Sequence, residues 1–114
     1  MLHEMTLFPR PYASIASGQK TIELRLYDEK RQSIQIGDQI RFTNTEDASQ
    51  TTLCEVVGLH VFKNFAELYE KLPLLKCGYT SEDVVNAHPD DMLTYYSKEK
   101  QAQYGVVGIE LKRI

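Results

Sequence analysis

Lys20, Glu23 and Arg25 put an ammonium, a carboxylate and a guanidinium within one short stretch, Gly18-Gln19-Lys20-Thr21-Ile22-Glu23-Leu24-Arg25. An ammonium offers a point charge, a guanidinium a planar fork of donors, and a carboxylate an acceptor or a seat for a proton. From Thr21 the side chains alternate, so Ile22, Leu24 and Leu26 share one face of a strand while Thr21, Glu23 and Arg25 share the other. Lys20 has the parity of the apolar set. It joins Glu23 and Arg25 only if the chain is still turning at Gly18 and Gln19, a conformation that glycine permits. Two arrangements fit these residues: a solvated outer strand face with a cross-strand salt bridge, or a polar cleft.

The elements that must position this stretch follow from the pattern around it. A short strand over Leu2 to Leu7 ends at Phe8-Pro9-Arg10-Pro11, and a helix from Pro11 to Ser17 buries Tyr12, Ile15 and Ala16. Gly18 ends that helix and releases the chain into the charged strand. Asp28-Glu29-Lys30-Arg31-Gln32 reads as a solvated connector. Gly37-Asp38 turns the chain into a strand over Gln39 to Asn44, whose Arg41 is a candidate to face the same side as Arg25. Asn44 to Gln50 is polar and is expected to be a hairpin loop, returning into the longest strand, Thr51 to Phe62, with a bulge at Gly58.

Asn64, with Glu67 following, caps a helix carrying Phe65, Leu68, Tyr69 and Leu72 that Pro73 stops. Short helical pieces are expected after Thr80, over Asp90 to Tyr96, and from Ser97 to Gln103. A last strand, Val106 to Arg113, points Val107, Ile109 and Leu111 inward and Gly108, Glu110 and Lys112 outward. Five or six strands with an early helix and a late helical insertion predict a compact α+β fold. Its core is a small β-barrel, with short helices over an open end.

Composition narrows the function classes. A chain of 114 residues makes one domain. Its formal charge of −3 excludes a surface that coats nucleic acid wholesale, so an anionic partner must be met by a local patch. Cys54 and Cys77 stand far apart without metal-ligand spacing, which predicts free thiols in a reducing compartment. His3, His60 and His88 are scattered, so no zinc set forms. No nucleophile elbow and no glycine loop for phosphate is present, and no cofactor is expected. Met1-Leu2-His3-Glu4-Met5 lacks a basic n-region, and no apolar run is long enough to cross a bilayer. These features predict a cytoplasmic protein, a monomer or weak homodimer, without membrane partners. Lys98, Lys100, Lys112 and Arg113 fit either a positive rim or ordinary soluble surface.

The pattern Gly18-x-Lys20-x-x-Glu23-x-Arg25, after a proline-containing helix and before Gly37-Asp38-x-Ile40, resembles the ASCH (ASC-1 homology) domain, a relative of the PUA RNA-binding fold. The closing Tyr95-Tyr96-Ser97 and Tyr104-Gly105-Val106-Val107-Gly108-Ile109 are similar to the bacterial small-protein branch of that family. The resemblance covers nearly the whole chain. It implies a PUA-like barrel with a cleft between barrel and helices, holding RNA or a modified nucleoside or nucleotide; DNA is not expected.

Within such a cleft Arg25 or Lys20 would meet a phosphate or a base edge, and Glu23 would orient the arginine or accept from an exocyclic amine. Tyr12 or Tyr96 would supply a stacking surface. The resemblance also extends to small acetylcytidine amidohydrolases, which use a lysine, a threonine and a glutamate. Lys20 falls on that lysine, Glu23 occupies the place of the nucleophilic threonine, and Glu67, Glu70 and Glu82 are the candidates for the glutamate. Hydrolysis here would make Glu23 a general base and Lys20 the oxyanion partner. A ribonuclease of ASCH type is a third possibility.

Overall fold

The computed structural model describes residues 1–114. Alternation decides the first strands. In β1 (Leu2–Leu7) and β3 (Gln39–Asn44) apolar Met5, Leu7, Ile40 and Phe42 turn to one side, and the two strands pair in parallel with Met5 opposite Phe42. Parallel pairing needs a crossover. It is made by helix α1 (Pro9–Ala16), strand β2 (Ile22–Leu26) and the single helical turn α2 (Glu29–Gln32).

Strand β4 (Asp47–Phe62) runs antiparallel to β3, and β5 (Val106–Arg113) runs antiparallel to both β4 and β2. The order β1-β3-β4-β5-β2 makes one mixed five-stranded sheet, curled into a half-barrel. Its free edges are β1 and β2.

Those edges are bridged by side chains in place of a ladder. Arg25 of β2 donates from Nη2 to the Thr6 carbonyl at 2.9 Å, and Lys30 of α2 donates to the Glu4 carbonyl at 2.9 Å. Open strand edges invite foreign pairing, and two cations on the unused carbonyls of β1 blunt that edge.

Several local expectations change in detail, each for a physical reason. Helix α1 starts at Pro9, ahead of the expected Pro11, because a proline with preset φ seats the first turn. The connector after Tyr27 winds into α2 because Asp28 accepts from the Arg31 backbone N–H at 3.2 Å and caps the turn. The expected loop Asn44 to Gln50 shrinks to a tight reversal, with β4 already running from Asp47. Asn44 holds it by accepting from the Glu46 N–H at 3.0 Å and donating to Gln50 at 2.8 Å. At the bulge, Val56 pairs with Leu111 and Gly58 with Glu110, so Val57 is the extra residue.

The sheet carries two cores, one on each side. On the concave side Phe42, Ile40, Val56, Val107 and Ile109 pack with Tyr12 and Ile15 of α1. On the convex side Ile22, Leu24, Leu26 and Val106 pack under Phe65 and Leu68 of α3 (Phe65–Lys71). The outward parity of β5 therefore does not meet solvent at Gly108. A Cβ there would sit 2.6 Å from a methyl of Leu72, so only glycine lets α3 lie this close.

Asn64 caps α3 by accepting from the Glu67 N–H at 2.9 Å. The chain then passes through 3-10 turns at Leu74–Lys76, Val84–Asn86 and Pro89–Thr94, none of which buries a side chain of its own. Ser97 caps α4 (Lys98–Tyr104), which hands over to β5 at Gly105 with φ of 73°. No helix is long and apolar enough to cross a membrane.

A cleft built around a shared carboxylate

Register decides which way the charged residues point. Glu23 lies opposite Ile109 and Arg25 opposite Val107, both members of the concave core, so the two charged side chains turn into the half-barrel. Lys20 is not in the strand, which begins at Ile22; Gly18, at φ of 86°, turns the chain just before it. Alternation therefore does not bind Lys20. Its N–H donates to the Ser14 carbonyl of α1 at 3.0 Å, while the next N–H, of Thr21, reaches the Lys76 carbonyl at 2.9 Å. The lysine stem lies along Gly78, whose φ of 109° and missing Cβ leave room for it.

The three charges meet. Lys20 Nζ lies 2.8 Å from Glu23 Oε1 and Arg25 Nε lies 2.7 Å from Glu23 Oε2, so each carboxylate oxygen takes one cation. Glu23 is only 4 % exposed. Burial on its own pushes the Glu23 carboxyl up, but Lys20 and Arg25 together outweigh it and hold the group below its ordinary value. Burial likewise works against the Arg25 charge, and Glu23, together with Tyr96 and Asp28, more than restores it. The set is an ionised triad with one positive charge in excess.

Around it opens a cleft of about 500 Å³ between the half-barrel, α1 and the segment that follows α3. Tyr79, Tyr95 and Tyr96 line it together with Phe8, and Tyr95 and Phe8 are more than half exposed at 58 % and 59 %. Arg10 of α1 meets Asp83 at 3.6 Å across the two sides. Cys77 also lines the cleft, but burial pushes its thiol up to about 11 against the pull of Lys20, so it is no thiolate nucleophile. No histidine is among the lining residues, and no group of side chains is arranged to hold a metal ion.

Of the residues singled out from sequence, Lys20, Glu23, Arg25 and Tyr96 share this cleft. Tyr12 does not. It is buried in the concave core, where its hydroxyl accepts from Thr52 at 2.9 Å. Arg41 does not face the side of Arg25 either: it pairs with Glu4 at 3.1 Å on the solvent side of β1 and β3, because its parity in β3 is opposite to that of Ile40 and Phe42. The glutamates Glu67, Glu70 and Glu82 are not among the lining residues.

The pattern gave no sign of Tyr69, Tyr79 and Asp91. Tyr69 and Tyr79 hydroxyls lie 2.7 Å apart, and Tyr79 donates to Asp91 Oδ2 at 2.6 Å. Away from the cleft, the Gly37-Asp38 turn is tied to β1. His3 Nε2 lies 2.8 Å from Asp38, and this contact with the Gln35 N–H holds the Asp38 carboxyl down to about 2.

A curled mixed sheet with a polar cleft where its open edges meet helices is a PUA-like architecture, matching solved ASCH structures. The chain belongs to the ASCH domain family, whose pattern matches residues 5–114. It is similar over 100 % of both chains to the hypothetical protein PH0355, with 35 % identity and a TM-score of 0.80. Protein PF0455 from Pyrococcus furiosus is 33 % identical, with a TM-score of 0.72 over 100 % of this chain and 98 % of that one. The ASCH protein of Zymomonas mobilis shares the fold at 13 % identity and a TM-score of 0.68, over 97 % of this chain and 66 % of that one. No curated protein matches the chain.

Proposed function

We propose that the cleft binds a nucleobase, carried by RNA or by a free, modified nucleoside or nucleotide. The observation that carries this reading is the buried Glu23 carboxylate held between Lys20 and Arg25 at the floor of an aromatic-lined cleft. Lys20 spends one of its three N–H groups on Glu23, leaving donors for a base acceptor or a phosphate. Tyr96, Tyr95 and Phe8 offer flat surfaces on which a base stacks.

Charge favours the base over the backbone. Arg10, Lys20 and Arg25 among the lining residues are matched by Glu23, Asp83 and Asp91, so the cleft as a whole has no excess cation for a run of phosphates. In bound RNA the sugar-phosphate chain would lie outside while one base enters.

The same geometry favours holding over turnover. A carboxylate kept below its ordinary value by two cations is a weak general base, which counts against amide hydrolysis through Glu23. Phosphodiester cleavage would lack a histidine in the cleft. The test is calorimetric titration with cytidine, adenosine and a short single-stranded RNA, alongside assays for acetate release from acetylcytidine and for RNA cleavage. Saturable binding of a base-bearing ligand without product is the expected result. Absence of binding by all three would overturn the reading, and acetate release lost on Lys20→Ala would replace it with the amidohydrolase.

A further inference from the structure

Tyr69, Tyr79 and Asp91 line the cleft opposite α1, and the direction of the hydrogen bonds along them is fixed. Each tyrosine hydroxyl carries one proton. Tyr79 gives its proton to Asp91 Oδ2 at 2.6 Å, so in the 2.7 Å contact with Tyr69 it can only accept, and Tyr69 must donate. Tyr69 is then left with lone pairs and no proton to offer. Asp91 is itself held in place, accepting from the His88 N–H at 3.2 Å as part of the cap of the Pro89–Thr94 turn. The Tyr79 hydroxyl and the His88 N–H keep the Asp91 carboxyl below its ordinary value, so the direction of the chain persists through neutral pH. The two rings stand edge to face with centroids 5.9 Å apart, a contact that adds to the hydrogen bond between them.

Building on the nucleobase reading above, we propose that Tyr69, oriented through Tyr79 by Asp91, is an acceptor that selects ligands presenting an N–H donor, and so favours amino-bearing bases over bases lacking the amine. Tyr69 is the contact residue; Tyr79 and Asp91 are positioning residues. A base with an exocyclic amine beside a ring nitrogen has a donor for Tyr69 and an acceptor for the spare N–H groups of Lys20. A base without the amine leaves the Tyr69 lone pair facing nothing, and a polar group that a ligand covers without matching is costly.

The experiment titrates wild type, Tyr69→Phe, Tyr79→Phe and Asp91→Ala with two matched pairs: adenosine against purine riboside, and cytidine against pyrimidinone riboside. In wild type the amino member of at least one pair should bind about five- to tenfold more tightly, the scale of one hydrogen bond. In Tyr69→Phe the ratio should fall to about one through loss of affinity for the amino member alone. In Tyr79→Phe the Tyr69 hydroxyl is free to turn and donate, so the ratio should also fall. Asp91→Ala, which takes away the acceptor that draws the Tyr79 proton, gives the same readout should a tyrosine variant fail to fold. Equal binding of both members by wild type, or an unchanged ratio in the variants that fold, overturns the acceptor wall. If both members bind wild type equally and both are lost on Lys20→Met, the acceptor wall fails and the nucleobase reading stands. If neither member of either pair binds wild type, both fall together.

Discussion

Glu23→Gln will lower the stability of the fold by about 3–5 kcal/mol at neutral pH, the scale for removing one partner from a buried ion pair. The reason is the shared carboxylate. Lys20 and Arg25 are 11 % and 15 % exposed at their side chains and both lean on Glu23, so the amide leaves two largely desolvated cations facing each other with no counter-charge. The isosteric amide keeps the shape of the site, so the loss reports charge and not packing. Chemical denaturation of the two proteins measures it.

Acid should reproduce part of this loss in the wild type. The folded-state carboxyl of Glu23 titrates below its ordinary value of 4.5, so below about that pH the unfolded chain binds a proton that the folded chain refuses. The stabilisation from the triad is therefore fully present above that value and is lost as pH falls through the folded-state titration. In Glu23→Gln this contribution to the acid limb should be missing.

Lys20→Met will weaken binding of a nucleoside that the wild type binds by about 10- to 100-fold, the scale of a hydrogen bond to a charged group. Methionine matches the aliphatic stem that lies along Gly78 and removes only the ammonium. Folding suffers less than in Glu23→Gln, because Arg25 still holds Glu23 at 2.7 Å. With only one cation left against burial, the Glu23 carboxyl should titrate higher than in the wild type. Arg41→Met is the control: its guanidinium pairs with Glu4 on the solvent side, and nucleoside affinity should be unchanged. Calorimetric titration of the three proteins decides this.

Much of this fold could be read from local rules. Gln39–Asn44 and Val106–Arg113 form strands over the residues their alternation marks, and Asn64 and Ser97 cap the helices their types suggest. The meeting of Lys20 with Glu23 was legible as a condition on Gly18, since a turn at that glycine frees Lys20 from strand parity. What local rules cannot carry is which face of a strand finds a second layer. Gly108 has the parity of Glu110, yet it lies under α3 because the sheet is covered on both sides near its β2 edge.

Tyr12 shows the same limit from the other direction. An aromatic on α1 fits a cleft or a core equally well in sequence, and the curvature of the sheet put it in the core. Tyr69, Tyr79 and Asp91 are separated by an irregular run of 3-10 turns with no period to align them, so only tertiary structure brings their oxygens into line.

On the reading proposed above, the cleft of Lys20, Glu23 and Arg25 is where a base is held. The most direct test of that reading is titration of the isotope-labelled protein with cytidine, adenosine and a short single-stranded RNA, followed by backbone amide and tyrosine-ring shifts. Saturable shifts are expected, centred on Lys20 to Arg25, on Gly78 and Tyr79, and on Tyr95 and Tyr96, with β3 around Arg41 unmoved. Shifts confined to the outer face of β1 and β3, or none at saturating ligand, would contradict it.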